Sequence, residues 1–294
     1  MSNKILITGA NGEFGKLTAK KLLNDGHTVV ASIRESEGRN KSSANELKAI
    51  GAHVVEIDVT NDSSVVEGTK NAIEKAGGID VLVNNAGIGA FGIQETFTDE
   101  DWKKLFDVNV FGVQRMNRAV LPSMRENKSG LLIHVSSLIG RMVLPFWGAY
   151  SASKWALEAM AETYRVELSK YGIDSCIIEP GAYPTTFFEG LMGASDLSRN
   201  NSYGNFPQEA KEFFAGFSNA LNSNTEQNAQ NVADAISILI NTPAGQRKFR
   251  TVVDKMGMGE HIEGYNNQHK QFTSEIFNMF GIEKMLELSV EKDV

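Results

Sequence analysis

An α/β architecture, a doubly wound parallel sheet of about seven strands with helices on both faces, is what this sequence predicts. Three observations carry it. Apolar runs rich in Val, Ile and Leu recur at 4–8, 28–33, 53–57, 79–83, 130–136 and 173–179, without the polar alternation of a half-exposed strand. That is the pattern of strands buried on both faces. Helical patterns separate them, near 14–25, 43–50, 63–76, 100–126 and 150–171, and a βαβα order leads to parallel pairing through right-handed crossovers. Glycines at 9, 12 and 15 crowd the junction between the first strand and the first helix. A further apolar run from Phe249 to Val253 adds a late strand.

The chain has 294 residues, 41% of them hydrophobic, which suits one α/β domain over 1–294 with an elaborated end. No stretch approaches the roughly 20 continuous apolar residues of a membrane helix. Lys4 to Thr8 enters a strand at once, with no basic region and apolar core before it, so no signal peptide is expected. The closing Lys292-Asp293-Val294 matches no retention or peroxisomal address. A formal net charge of −7 argues against nucleic acid and anionic membranes as partners. The one cysteine, Cys176, lies in the apolar run Ile173 to Ile178 and reads as a buried hydrophobe. Histidines 27, 53, 134, 261 and 269 show no ligand spacing, so no metal site is indicated. These facts point to a metal-independent cytoplasmic protein.

The pattern changes after Pro184. Residues 184–225 are rich in Gly, Asn, Ser and Phe and read as an insertion on the upper edge of the sheet, with a short helix near 207–221. Substrate contacts are expected there. A helix near 227–241 follows, then a loop over 256–270 and an amphipathic helix over 271–288, so that 256–294 forms a C-terminal extension.

The first strand runs directly into Thr8-Gly9-Ala10-Asn11-Gly12-Glu13-Phe14-Gly15. Glycines at this place let the backbone turn sharply and approach a phosphate, and the last lets the helix pack on the strand, whose neighbour end favours negative charge. The arrangement is Rossmann-type. The second strand ends at Ile33-Arg34. An acidic residue there would bind the ribose hydroxyls of NAD(H), whereas the Arg34 guanidinium suits a 2′-phosphate and favours NADP(H). Glu35 and Glu37 weaken that positive field. Farther along, Tyr150 and Lys154 stand four apart at the start of a helix, on one face. A cation beside a phenol favours the phenolate and makes it a usable proton donor and acceptor.

By these residues the chain resembles the short-chain dehydrogenase/reductase family, of the classical type, over about residues 3 to 255. Thr8 to Gly15 is similar to the family's cofactor turn, with Gly9, Asn11, Gly12, Glu13, Phe14 and Gly15 as its candidate contacts. Asp58 and Val59 resemble the pair at the adenine ring, although Asp58, followed by Thr60, Asn61 and Asp62, also reads as a cap or turn residue. Asn84-Asn85-Ala86-Gly87 is similar to the family's Asn-Asn-Ala-Gly signature, and Pro180, Gly181 and Thr185 to its nicotinamide segment. Asn109, Ser137, Tyr150 and Lys154 fall on the catalytic set; Ser136 is the neighbouring alternative to Ser137, and the 13-residue offset to Tyr150 favours the latter. One departure stands out. Glu13 occupies a place where a glycine is usual, and the resulting glycine spacing resembles the extended and atypical branches; its carboxylate either points to solvent or caps the helix.

The resemblance implies reversible hydride transfer between NADP(H), or NAD(H), and a small-molecule carbonyl or alcohol. Tyr150 would exchange the proton, Ser137 hold the oxygen, Lys154 lower the phenol pKa and bind the nicotinamide ribose, and Asn109 hold a water beside Lys154. It also implies a homodimer or homotetramer through the helices at 100–126 and 150–171. The substrate pocket is expected from Leu138, Arg141, Val143, Leu144, Phe146 and Trp147, then Tyr183, Phe187, Phe188 and Leu191. That set suits a hydrophobic ketone, aldehyde or secondary alcohol, with Arg141 either binding an anionic group or facing water. Two other readings compete: a non-catalytic NADP-sensing regulator, suggested by the glycine spacing, and a sugar-nucleotide epimerase or dehydratase, which generally needs a larger C-terminal region.

Overall fold

The computed structural model describes residues 2–289, so Lys292-Asp293-Val294 and the far end of the expected extension lie outside the described residues. Seven strands form one sheet, and all pair in parallel: β1 Lys4–Ile7, β2 Thr28–Ile33, β3 His53–Glu56, β4 Val81–Asn84, β5 Gly130–Val135, β6 Ile173–Pro180 and β7 Arg250–Val253. Their order is β3-β2-β1-β4-β5-β6-β7. The chain therefore works outward from β1 to β3, then returns to the other side of β1. At that reversal successive crossovers leave to opposite faces, and a crevice opens beyond the carboxyl ends of β1 and β4.

The unbroken apolar runs have a direct cause. Strand side chains alternate faces, and here both faces are covered. Ile5, Ile7, Val29, Ala31 and Ile133 point into one core, shared with α1 (Glu13–Asn24), α2 (Lys41–Ala49) and α8 (Gln230–Asn241). Leu6, Val30, Leu82 and Leu132 point into the other, shared with α3 (Asp62–Ala76) and α5 (Gly112–Glu126). Each such fully buried Leu or Ile contributes about 1.5–3 kcal/mol. Cys176 is buried in the first core, as the sequence implies.

The expected helix over 100–126 is three pieces: α4 (Asp99–Phe106), one wide π turn over Asp107–Phe111, and α5. The wide turn presents Asn109 inward, where its side chain bonds to Ile88 and Ser153 of neighbouring segments. The helix expected near 207–221 is the longer α7, Phe206–Ser223, which with α6 (Gly148–Leu168) flanks the crevice end of the sheet.

The segment 256–270, expected as loop, is helical from Gly259. A single helix α9 covers Gly259–Met279 and ends well before residue 288. Its start is held by Asp254, whose Oδ2 accepts from Met258 N at 2.9 Å and Gly259 N at 3.0 Å. A carboxylate placed there satisfies amides that the helix leaves unpaired. Only Ile262 of α9 is buried. Among the described residues, no helix is long and apolar enough to cross a membrane.

Asp101 ties the segment after β6 to this framework. In a capping box with Thr98 it starts α4, and it also accepts from Ser195 N at 3.0 Å and Ser195 Oγ at 2.6 Å. Burial pushes its carboxyl up, but the hydrogen bonds from Ser195 and Thr98 outweigh that and bring it down to about 2. The folded value thus lies below the unfolded one, so this contribution is complete above about pH 4 and fades as pH falls toward 2. Asp101→Ala is expected to destabilise the fold by about 1–2 kcal/mol and to speed amide exchange at Ser195 and Asp196; unaltered exchange there would show that the anchor is not needed.

Candidate active site

The crevice is a cleft of about 450 Å³ running from the glycine turn, past the ends of β4 and β5, to aromatic side chains of α6, the segment after β6, and α7. Gly9 has φ +61°, and an added Cβ would sit 2.8 Å from Ala86 Cα, so the position requires glycine. Gly15 is equally constrained: a Cβ would lie 2.7 Å from Ala10 Cα, where α1 packs on its own entry turn. Gly12 differs. Its φ is −74°, and a Cβ there meets nothing nearer than Gly9 O at 3.5 Å. The space it leaves opens into the cleft at the N-terminus of α1, which fits a phosphate group.

Asn85 staples this turn. Its Nδ2 donates to Thr8 O at 2.9 Å and Gly9 O at 3.1 Å, while Thr8 Oγ1 accepts from Asn85 N and Ala86 N, both at 3.0 Å. Asn11 donates to Asn40, which in turn donates to Arg34 O. Phe14 meets Tyr183 edge-on at 5.4 Å, and both line the cleft. Glu13 is the exposed first residue of α1 and Gly12 is its N-cap, so the solvent alternative holds.

Arg34 is exposed at the far end of the cleft. The two acids expected to weaken its field are engaged elsewhere: Glu35 pairs with Arg39 at 2.9 Å, and Glu37 with Lys48 at 3.6 Å and Lys41 at 3.8 Å. Asp58 is a turn residue that also borders the cleft. Its Oδ1 accepts from Thr60 N and Oγ1 in a tight turn, and the residue lines the cleft with Val59. Burial pushes the Asp58 carboxyl up, while those hydrogen bonds and the charges of Arg34 and Arg115 bring it below its ordinary value. The cap of α3 is Asn61 instead. Gly87, Pro180, Gly181 and Thr185 also line the cleft, and Thr185 Oγ1 accepts from Phe187 N.

Ser137, Tyr150 and Lys154 come together at the cleft's floor. Ser137 donates to Pro180 O at 3.5 Å and caps the short turn Leu138–Gly140. Ser136 points below that turn, toward Glu158. The structure thereby separates the two serines. Tyr150 is buried, and burial raises its phenol above the ordinary value, opposed by a hydrogen bond with Ser137. The net shift is upward, so no lowering by Lys154 outweighs burial. The lysine Nζ stands 5.7 Å from the Tyr150 ring centre and donates to Val135 O at 2.9 Å. Burial in turn brings Lys154 down to about 8, opposed by Glu158. Asn109 is fully buried; Oδ1 accepts from Ile88 N at 2.9 Å, and Nδ2 donates to Ile88 O at 2.9 Å and Ser153 Oγ at 3.0 Å. It and Lys154 flank one spot: a Cβ on Gly87 would lie 3.4 Å from Asn109 Oδ1 and 3.7 Å from Lys154 Nζ.

Of the expected pocket residues, Leu138, Leu144, Trp147, Tyr183, Phe187 and Phe188 line the cleft. Four do not. Arg141 neither binds there nor faces water; it is buried between Tyr265 and Trp155, 4.7 and 5.8 Å from their ring centres. Val143 and Phe146 line a separate shallow surface, where Phe146 packs on Phe206 and Phe213 of α7. Leu191 packs beside Gly89. Phe217 of α7 and Met258 were not anticipated. The Phe spacing of 207–221 marks α7 as amphipathic, but only packing shows which phenylalanine reaches the cleft.

A parallel doubly wound sheet with a glycine turn at its switch point and a Ser, Tyr and Lys beyond β5 defines a dinucleotide-type oxidoreductase architecture. The family model for short chain dehydrogenases matches residues 3–193. The chain belongs to the short-chain dehydrogenase family. It is 38% identical to a 3-ketodihydrosphingosine reductase of Bacteroides thetaiotaomicron over 68% of this chain and 71% of that one. It is 32% identical to retinol dehydrogenase 8 of Bos taurus, over 84% and 80%. An alcohol dehydrogenase from Thermococcus sibiricus, complexed with 5-hydroxy-NADP, superposes with TM-score 0.66 at 26% identity, covering 85% and 95%. A 3-ketoacyl-(acyl-carrier-protein) reductase from Brucella melitensis, complexed with NADH, gives 0.70 at 25% identity, covering 86% and 96%.

The two glycines make a paired test. Gly9→Ala is expected to destabilise the fold by about 1–3 kcal/mol, and Gly12→Ala to leave stability within about 0.5 kcal/mol of the original, read from denaturant unfolding curves. A Gly12→Ala loss as large as that of Gly9→Ala would contradict the open space described.

Proposed function

We propose that this chain is an NADP(H)-dependent oxidoreductase for a hydrophobic ketone, aldehyde or secondary alcohol. The observation that carries it is the meeting of Tyr150 and Ser137, with buried Lys154 5.7 Å from the Tyr150 ring centre, at the junction of the glycine-turn cleft and an aromatic pocket. A nicotinamide held in that cleft supplies or takes the hydride. In reduction Tyr150 gives its proton to the carbonyl oxygen as the carbon is reduced, and the raised phenol starts in the neutral form this requires. Ser137 hydrogen-bonds the same oxygen as charge develops on it. Lys154 remains mostly protonated near pH 7 and steadies the phenolate left behind. Asn109 shapes the spot beside Lys154 through which a water can return the proton. Gly9, Gly12, Asn85, Asp58 and Thr185 frame the cofactor. Residues 184–225 act as the substrate lid.

The apolar lining supports the substrate class: Trp147 stands 6.0 Å and Phe187 5.7 Å from the Tyr150 ring, and Phe188 continues the aromatic wall. The two relatives, a ketodihydrosphingosine reductase and a retinol dehydrogenase by name, accord with a carbonyl or alcohol on an apolar body. Arg34 supports NADP(H), since its neighbouring acids are paired away from it.

Tyr150→Phe is expected to lower turnover by at least about 100-fold while NADPH binding, followed by fluorescence, stays within twofold. Retained turnover would refute the proton-transfer role, and lost binding would point to a structural one. Arg34→Ala is expected to weaken NADPH about tenfold or more and leave NADH unchanged. An oxidation assay over a panel of ketones and aldehydes compares the cofactors; equal rates with both in the unaltered protein would remove the Arg34 argument.

A further inference from the structure

Beneath the cleft floor lies a cluster of buried charge that hydride transfer leaves unused. Glu158, one helical turn beyond Lys154 on α6, is 1% exposed, and Glu179, just before Pro180, is 0% exposed. Arg250 of β7 stands between them, with Nε 3.0 Å from Glu158 Oε2 and 3.6 Å from Glu179 Oε1, and Nη2 2.9 Å from Glu162 Oε2. Arg141 is 4.0 Å from Glu179. Helix α9 closes the cluster: Asn266 accepts from Arg141 Nε at 3.0 Å and donates to Glu179 Oε2 at 2.6 Å, and His269 stands 3.7 Å from Glu162. Above it is the turn after Ser137. A Cβ on Gly140 would lie 2.7 Å from Ser136 Oγ and 3.4 Å from Glu158 Oε1.

Two buried carboxylates that share Arg250, with Arg141 no nearer than 4.0 Å to Glu179, do not both ionise cheaply, and burial raises both of these. Their partners differ. Glu158 receives the close charged hydrogen bond from Arg250, whereas the hydrogen bond to Glu179 comes from a neutral amide, with the Arg250 and Arg141 nitrogens at 3.6 and 4.0 Å from its Oε1. The charge therefore settles on Glu158 and the proton on Glu179. Around Lys154 stand Tyr150 and Glu158 from its own helix, Asn109 from the π turn, the Val135 carbonyl from β5, and Gly87 from the loop after β4. Glu158 is the carboxylate that acts on it.

We propose that the buried pair carries a single negative charge, on Glu158, with Glu179 held as a neutral acid, and that Glu158 is a positioning residue acting through Lys154 to keep its ammonium charged near neutral pH. The proposal rests on the catalytic reading of Lys154. It also gives α9 a part in the site, since Asn266 supplies the neutral partner of Glu179.

The test follows the Lys154 ammonium by NMR of isotope-labelled lysine in the full chain, assigned with Lys154→Arg. Glu158→Gln should move its titration midpoint, and the alkaline limb of the kcat profile, about one pH unit lower. Glu179→Gln should leave that midpoint in place and abolish the infrared carbonyl band of a protonated carboxylic acid seen in the unaltered protein near pH 7. An unmoved midpoint in Glu158→Gln overturns the proposal, as does a band that survives in Glu179→Gln or is absent from the unaltered protein. The infrared arm decides alone if Glu158→Gln fails to fold. Turnover retained by Tyr150→Phe would refute the catalytic reading while both titrations still report on the pair.

Discussion

The joint between β1 and β4 is what the rest of the site depends on. One threonine hydroxyl, Thr8 Oγ1, accepts two backbone amides from the loop after β4, and Asn85 returns two hydrogen bonds to the turn after β1. This carries the parallel register of β1 and β4 on into the two loops that follow them. Gly9 and Ala86 then approach so closely that neither a bulkier residue nor a shifted strand fits. The crevice of a doubly wound sheet exists wherever strand order reverses, but only such a joint gives it fixed walls. The same loop continues to Ile88, where Asn109 takes hold of it, so the glycine turn and the catalytic helix are connected through a few bonded backbone groups.

Burial governs the chemistry on the other side of that joint. Tyr150 and Lys154 both lie out of water, and each is pushed toward its neutral form. For the phenol this agrees with a proton donor. For the lysine it is a cost, and the surroundings offset it with the Val135 carbonyl and the Glu158 carboxylate. That carboxylate must itself be supported, which brings in Arg250, Glu179 and finally α9. A single buried ammonium thus accounts for a chain of polar residues reaching from the cleft to the C-terminal helix.

Much of this was legible in the residues. Strand runs, crossovers and the glycine turn follow from local pattern, because both-face burial writes itself as unbroken Val, Ile and Leu. Ser137, Tyr150 and Lys154 were marked by type and spacing, and the structure brings them together. What escaped had no local signature. The π turn at Asn109 goes with side-chain bonds to Ile88 and Ser153, distant in sequence. The early start of α9 is held by Asp254, which lies outside the helix and accepts from Met258 N and Gly259 N. Arg141 looked like a pocket cation because it lies between Ser137 and Tyr150 in the chain, yet its side chain is stacked between Tyr265 and Trp155 on the opposite side.

The Tyr150–Lys154 spacing, the glycine turn and the strand positions were determined by sequence alone, since each depends on neighbours a few residues away or on a pattern that any strand buried on both faces must show. Tertiary structure decided the rest: which serine faces the phenol, that Lys154 is held by Val135 instead of by the phenol oxygen, that the acids beside Arg34 are paired away from it, and which aromatics wall the pocket. Those outcomes depend on burial and on partners distant in the chain, and electrostatic energies at a site follow from both.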